Sequence, residues 1–242
     1  MKTYRPLPDL DLARIGPLPR DQKRFQLQKM KLIPPPHSLQ PVRKNCPDIL
    51  SITTGLFDDS AVRTPWDKIK ENIIRVSNND KPHEANINVR VGEALYKFAE
   101  EHKIRGRYRD EFFPLSIGVS EKVTYWFKAV FAVDDIETVL FMDPRRDRLD
   151  YDGSRFVFSV IHERLSAYPD FRKTRLGILE ANSFGKSSRR WVRFVTNEGV
   201  KLFTFDELDA MVRETYDLWR EILEERDDEL RRRSGGATGT LI

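Results

Sequence analysis

The stretch over residues 131–148 reads FAVDDIETVLFMDPRRDR, an apolar segment that runs straight into acids and arginines. Carboxylates in such a place can hold a hard cation, because Mg²⁺ takes oxygen ligands. Arginines beside them can grip a phosphate through a planar fork of donors. Three readings follow from residue type alone: a metal-dependent active site, a nucleic-acid contact, or the charged end of a buried strand. Four cationic runs extend the second reading. They are Lys103/Arg105/Arg107/Arg109, Arg145/Arg146/Arg148, Arg172/Lys173/Arg175 and Lys186/Arg189/Arg190/Arg193, each at the edge of an expected element. Trp191 or Phe184 could stack on a base beside them. The residues taken as candidate nucleic-acid contacts are Arg105, Arg107, Arg146, Arg148, Lys186, Arg189, Arg190, Trp191 and Arg193. The bland alternative is a solvated surface whose charge is balanced by Asp143, Asp147, Asp150 and Asp152.

Other familiar chemistries find little support. The four histidines, His37, His83, His102 and His162, lack ligand spacing, and His162-Glu163 lacks the second histidine of a zinc helix. SFGKSS ends like a phosphate-binding loop but has no upstream glycine at the required spacing. The single cysteine, Cys46, rules out an internal disulfide. No apolar run of about 18 residues suggests a membrane span, and no apolar signal core stands at the N-terminus. A reducing, cytoplasmic setting is expected.

Periodicity supplies the elements that must position these residues. Val89, Gly92, Leu95, Tyr96 and Ala99 predict an amphipathic helix over 87–102. Strands are expected at 112–119, 123–133 and 137–142, with Glu121-Lys122 and Asp134-Asp135 as the turns of an antiparallel meander. A helix over 155–168, short strands at 176–179 and 191–195, and a final helix opened by Thr204 complete the body. The apolar stripe of that last helix is Leu208, Met211, Val212, Thr215, Trp219 and Ile222. The fold class is therefore α/β, a central mixed sheet with an antiparallel meander flanked by helices.

Charge and proline divide the chain. Residues 1–45 carry ten Lys/Arg against three acids, and nine of the 14 prolines fall in residues 1–47. The expected organisation is a basic, proline-rich, extended arm at 1–47 with one short helix near 21–31, and a helical connector at 48–85. An α/β core at 86–230 and a flexible tail at 231–242 follow. A basic arm on a near-neutral body suits a polyanion, or a protein partner into which the arm threads.

The order helix, three strands, helix, strand resembles the restriction-endonuclease-like, PD-(D/E)XK, core, and in particular the N-terminal domain of transposon TnsA endonucleases. The likeness spans residues 86–200. It rests on Glu93 in the first helix, PLSIG at 114–118, TYWFKAVFAV at 124–133 and TVLFMDPRR at 138–146. It implies that Glu93 and Asp143 hold Mg²⁺, that Glu137 assists, and that Arg145 clamps the scissile phosphate. Glu93, Asp143 and Arg145 are thus the implied catalytic set. Arg145 stands where the family has lysine, and Phe127-Lys128-Ala129 stands where it has a metal-binding acid. Tyr168-Pro169-Asp170 followed by Glu180-Ala181-Asn182 imitates the motif a second time, but reads better as a helix end and a strand-end acid.

The resemblance implies a DNA-associated protein with a nuclease-like core. It would be either a metal-dependent endonuclease or a catalytically impaired DNA-binding subunit of a mobile-element or defence complex, with DNA a better partner than RNA, further protein partners, and no membrane. The alternative is a protein–protein assembly component that uses its proline-rich arm and C-terminal helix.

Overall fold

A computed structural model describes residues 6–30, 38–53, 63–77, 82–183 and 189–235. Proline is well tolerated just before a helix or in its first turn, where its missing amide hydrogen has no partner to lose. The chain uses this repeatedly. Pro8 precedes α1 (Asp9–Ile15), Pro19 precedes α2 (Arg20–Lys29), and Pro41 lies in the first turn of α3 (Gln40–Ile49). Pro65 precedes α4 (Trp66–Val76). The described part of the proline-rich first 47 residues is thus largely helical, where an extended arm with one helix was expected.

The remaining elements are β1 (Ile52–Thr53), α5 (Pro82–Glu101), β2 (Arg105–Tyr108), β3 (Leu115–Ile117), β4 (Glu121–Val123), β5 (Ala129–Val133) and β6 (Ile136–Asp143). After these come α6 (Tyr151–Ser166), β7 (Arg175–Asn182), β8 (Trp191–Thr196) and α7 (Phe205–Gly235). The main sheet has the order β1-β2-β5-β6-β7-β8. Its β1–β2 and β6–β7 pairs are parallel and the rest antiparallel. This is the mixed sheet flanked by helices that the pattern predicts. The tight connection between β5 and β6 is also as expected: Asp134 and Asp135 both take left-handed conformations, which short polar side chains tolerate.

The meander is not one sheet, however. β3 and β4 pair only with each other, so Glu121 and Lys122 lie in a strand, not a turn. The turn sits at Gly118–Ser120, where Gly118 has φ 66°. A Cβ there would lie 2.5 Å from Val212 Cγ1, so only glycine fits. The Gly118 amide donates to Asp209 at 2.6 Å, tying this small sheet to α7.

Strands buried on both faces read as continuous apolar runs, and β6 does so over TVLFMD. Val139 and Phe141 enter one core with Leu10 and Leu12 of α1, Phe156 and Ile161 of α6, and Leu208 and Trp219 of α7. Leu140 and Met142 enter a second core with Ile49 of α3, Ile69 and Ile73 of α4, and Leu95 of α5. Thr204 and Glu207 cap α7 reciprocally: the Glu207 amide donates to Thr204 Oγ1, and the Thr204 amide to Glu207 Oε2.

The N-terminal helices are fastened to α7. Lys23, 2% exposed, donates to Glu214 Oε2 at 2.5 Å. Arg24 pairs with Glu221 and Glu225. Arg226 returns the contact by donating to the carbonyls of Leu27, Gln28 and Met30 at the end of α2.

This clasp yields a prediction with a pH sign. The Lys23 hydrogen bond holds the Glu214 carboxyl below the usual carboxylate range. Its stabilisation is present above the unfolded glutamate value of about 4.3 and is lost as pH falls through the lower folded value. Lys23→Ala is expected to cost about 1–3 kcal/mol by urea unfolding at pH 7. Lys23→Met, which keeps the packed stem, is expected to cost less and to flatten the acid limb between about pH 5 and 3. An unchanged midpoint in Lys23→Ala would refute this role.

Candidate functional site

Asp143 and Glu180 end the parallel strands β6 and β7 and are partners in register. Strand residues alternate faces. Asp143 follows Phe141 by two, and Glu180 follows Ile178 by two, so both carboxylates point to the face of the first core. Both are fully buried. Two buried acids side by side demand compensation, and each receives an arginine and a backbone amide. Asp143 Oδ2 accepts from Arg14 Nη2 at 2.7 Å, and its Oδ1 accepts from the Arg145 amide at 3.0 Å. Glu180 Oε2 accepts from Arg193 Nε at 2.7 Å, and its Oε1 accepts from the Leu149 amide at 3.1 Å. Arg14 is fixed further by the carbonyls of Leu10 and Asp147. Arg145 turns its guanidinium to Asp11, at 2.6 Å. Burial pushes the Asp143 carboxyl above its ordinary value, against the lowering pull of Arg14 and Arg145.

The other residues of the implied catalytic set lie elsewhere. Glu93 is on the outside of α5, paired with Lys97 at 2.6 Å. That helix packs on the second core, so the sheet lies between Glu93 and the Asp143 carboxylate. Glu137 bonds to Thr174 near the start of β6, about 20 Å from Asp143 at roughly 3.3 Å per residue. Among the described residues no group of three His, Cys, Asp or Glu side chains could hold one metal ion. Asp170 lies in a single 3-10 turn after α6. Burial pushes the Cys46 thiol up to about 12, which leaves no thiolate for nucleophilic work at neutral pH.

The cationic candidates divide between two ends of the sheet. Arg146, Arg148, Arg190, Trp191 and Arg193 gather around the ends of β6 and β7 and the start of β8. Arg189 precedes β8. Arg105 pairs with Ala132 and Ala132 with Glu137, which puts Arg105 and Arg107 toward the other end of the sheet. Lys186 lies outside the described residues. Arg14 was not among the candidates. It comes from 129 residues before Asp143, and nothing local marks the pairing.

Comparison with known proteins supplies the identity. The family described as sliding clamp-binding bacterial toxin SocB matches residues 10–229, and the chain belongs to it. The DNA replication inhibitor toxin SocB of Caulobacter vibrioides (strain NA1000 / CB15N) is 35% identical over 240 residues, 98% of each chain. No solved structure matches the chain. This membership overturns the likeness to TnsA endonucleases. With it go the metal-dependent endonuclease, the impaired DNA-binding subunit and the mobile-element context. The expected order is not the one observed either, since β2 to β6 lie between α5 and α6 and β3–β4 form a sheet of their own.

The geometry at Asp143 predicts a pH-dependent loss. Arg14→Met leaves Asp143 buried without its ion pair, which is expected to cost about 3 kcal/mol at pH 8. The penalty should shrink toward pH 5, because the lone acid can then take up a proton. Urea unfolding at the two pH values measures it; an equal loss at both would show that the contact acts through packing alone.

Proposed function

We propose that this chain inhibits DNA replication by binding a bacterial sliding clamp, a protein–protein contact in place of strand cleavage. The observation that carries this is the 35% identity to a DNA replication inhibitor toxin over 98% of both chains. It agrees with the match of residues 10–229 to a family of clamp-binding toxins. The arrangement at the strand ends supports it. Asp143 and Glu180 spend their oxygens on arginines and amides that brace the fold. The setting that goes with this activity is the cytoplasm, where a bacterial chain meets its replication machinery. No described helix is long and apolar enough to cross a membrane.

The proline-rich segment and the last helix, first considered as docking elements, have intramolecular duties. Leu208, Val212, Trp219 and Ile222 of α7 are buried in the chain's own core, and α2 lies along the same helix through its ion pairs. Among the described residues, these elements can meet a partner only through their outward-facing side chains.

A binding inhibitor acts stoichiometrically, whereas a nuclease turns over. Primer extension by a clamp-dependent polymerase is expected to fall in proportion to the ratio of this chain to clamp. It should be complete near saturation, and extension without clamp should be untouched. Purified chain and clamp should co-elute in gel filtration. Equal inhibition with and without clamp, or no complex at micromolar concentrations, would overturn the reading.

A further inference from the structure

The main sheet is incomplete beside the end of β6. β5 begins at Ala129. The Phe127 amide before it still donates to the Leu140 carbonyl at 3.0 Å. Past Leu140 no described strand lies along that edge of β6. A cavity of about 180 Å³ opens there. Its apolar wall is Phe141 and Met142 of β6 with Trp126 and Phe127 of the segment before β5. Trp126, Phe141 and Met142 are buried, and Phe127 is half-buried. The volume is below the roughly 300–1,000 Å³ of sites for drug-sized ligands. It is a little above the roughly 150 Å³ in which an apolar core holds benzene. It suits one small molecule with a body of a few carbons.

Two opposite charges complete the lining: Asp9, the first residue of α1, and Arg43 of α3. Among the described residues neither side chain makes a hydrogen bond or an ion pair. Burial pushes the Asp9 carboxyl above its ordinary value, and the charge of Arg43 pulls it back. The two are therefore near enough to feel each other, yet they do not touch. Asp143, Glu180 and Glu214, by contrast, each meet a base directly. A half-buried carboxylate without a partner is costly, and the arginine that could relieve it stays across a gap.

A ligand that satisfies this lining needs a cation for Asp9, an anion for Arg43 and an apolar body for the wall, all in a small volume. An amine or a carboxylate alone leaves one charge unmet. We propose that this cavity is a binding site for a free α-amino acid with an apolar side chain. Its ammonium donates to Asp9, its carboxylate accepts from Arg43, and its side chain lies against Trp126, Phe127 and Phe141. Binding replaces two unmet charges with charge-assisted hydrogen bonds and covers the bare edge of β6. No bond in the ligand is made or broken, and occupancy does not depend on contact with a clamp.

Calorimetric titration of the full chain with L-leucine, L-methionine and L-phenylalanine tests this. Three derivatives of each run beside it: the amine without the carboxylate, the carboxylate without the amine, and the N-acetyl amide, which has neither charge. At least one amino acid is expected to bind with a Kd below about 1 mM, and about tenfold or more tighter than its three derivatives. Asp9→Asn and Arg43→Gln, each with an unchanged melting temperature, should weaken that binding about tenfold or more. Arg43 is exposed, so Arg43→Gln decides alone if Asp9→Asn disturbs α1. The proposal is overturned by absence of saturable binding for all three amino acids, or by undiminished affinity in Arg43→Gln. A derivative that binds as tightly as its parent would also overturn it; the N-acetyl amide doing so would point to a residue of a protein partner as the occupant.

Discussion

Leu140 and Phe141 are neighbours on one strand, and each is buried in a different core. That opposition is the constraint from which the architecture follows. A strand that is apolar on both sides must be covered from both sides. The chain answers with α1, α6 and α7 on one face and α3, α4 and α5 on the other. The N-terminal segment therefore contributes helices to both layers. Its basic residues, which looked like a surplus aimed outward, are partly consumed in the process: Arg14 on Asp143, Lys23 on Glu214, and Arg24 on Glu221 and Glu225.

The same constraint explains the strand ends. Where β6 and β7 leave the core, Asp143 and Glu180 still point inward and are buried, and burial opposes the charge of Asp143. The arginines that meet them come from α1 and β8, elements widely separated in sequence. Breaking such a pair is costly even where the intact pair adds little net stability. An acid–arginine cluster at the end of a strand is also what a phosphodiester-cleaving site looks like on paper. Whether an arginine turns inward to a carboxylate or outward to a ligand decides between the two, and Arg14, Arg145 and Arg193 turn inward.

Local signals were legible in the sequence and distant ones were not. The Thr204 cap, the stripe of α7, the Asp134-Asp135 turn and the runs of β5 and β6 are set by residues within a few positions of one another. They stand as expected, except that the strand expected over 123–133 is divided between β4 and β5. The strand β2, RGRY, has no apolar residue but its tyrosine. It is a strand because Gly106 lets the Phe131 ring lie against its backbone, where a Cβ would come within 2.7 Å. The helix α2 falls where one short helix was expected near 21–31, whereas α1 and α3 were hidden by prolines that mark helix starts where their frequency suggested interruption. Glu180 was read as a strand-end acid and is one, whereas Asp143 was singled out as a metal ligand and is instead buried against an arginine. Its partner Arg14 was not legible, since only the folded chain brings together groups 129 positions apart.

The clasp between α2 and α7 also orders events in time. Arg24 and Glu225 are separated by 201 positions, and the acids that hold Lys23 and Arg24 all belong to the last helix. A ribosome adding about 5–20 residues per second needs roughly ten to forty seconds to cross that gap. Through that interval α2 lacks the helix it is clasped to, and the residues that α7 gives the first core are missing. The chain reaches its final packing only when translation is nearly finished. Until then it is a nascent polypeptide with exposed apolar helices, open to chaperones and proteases, and a broken message yields fragments that cannot close.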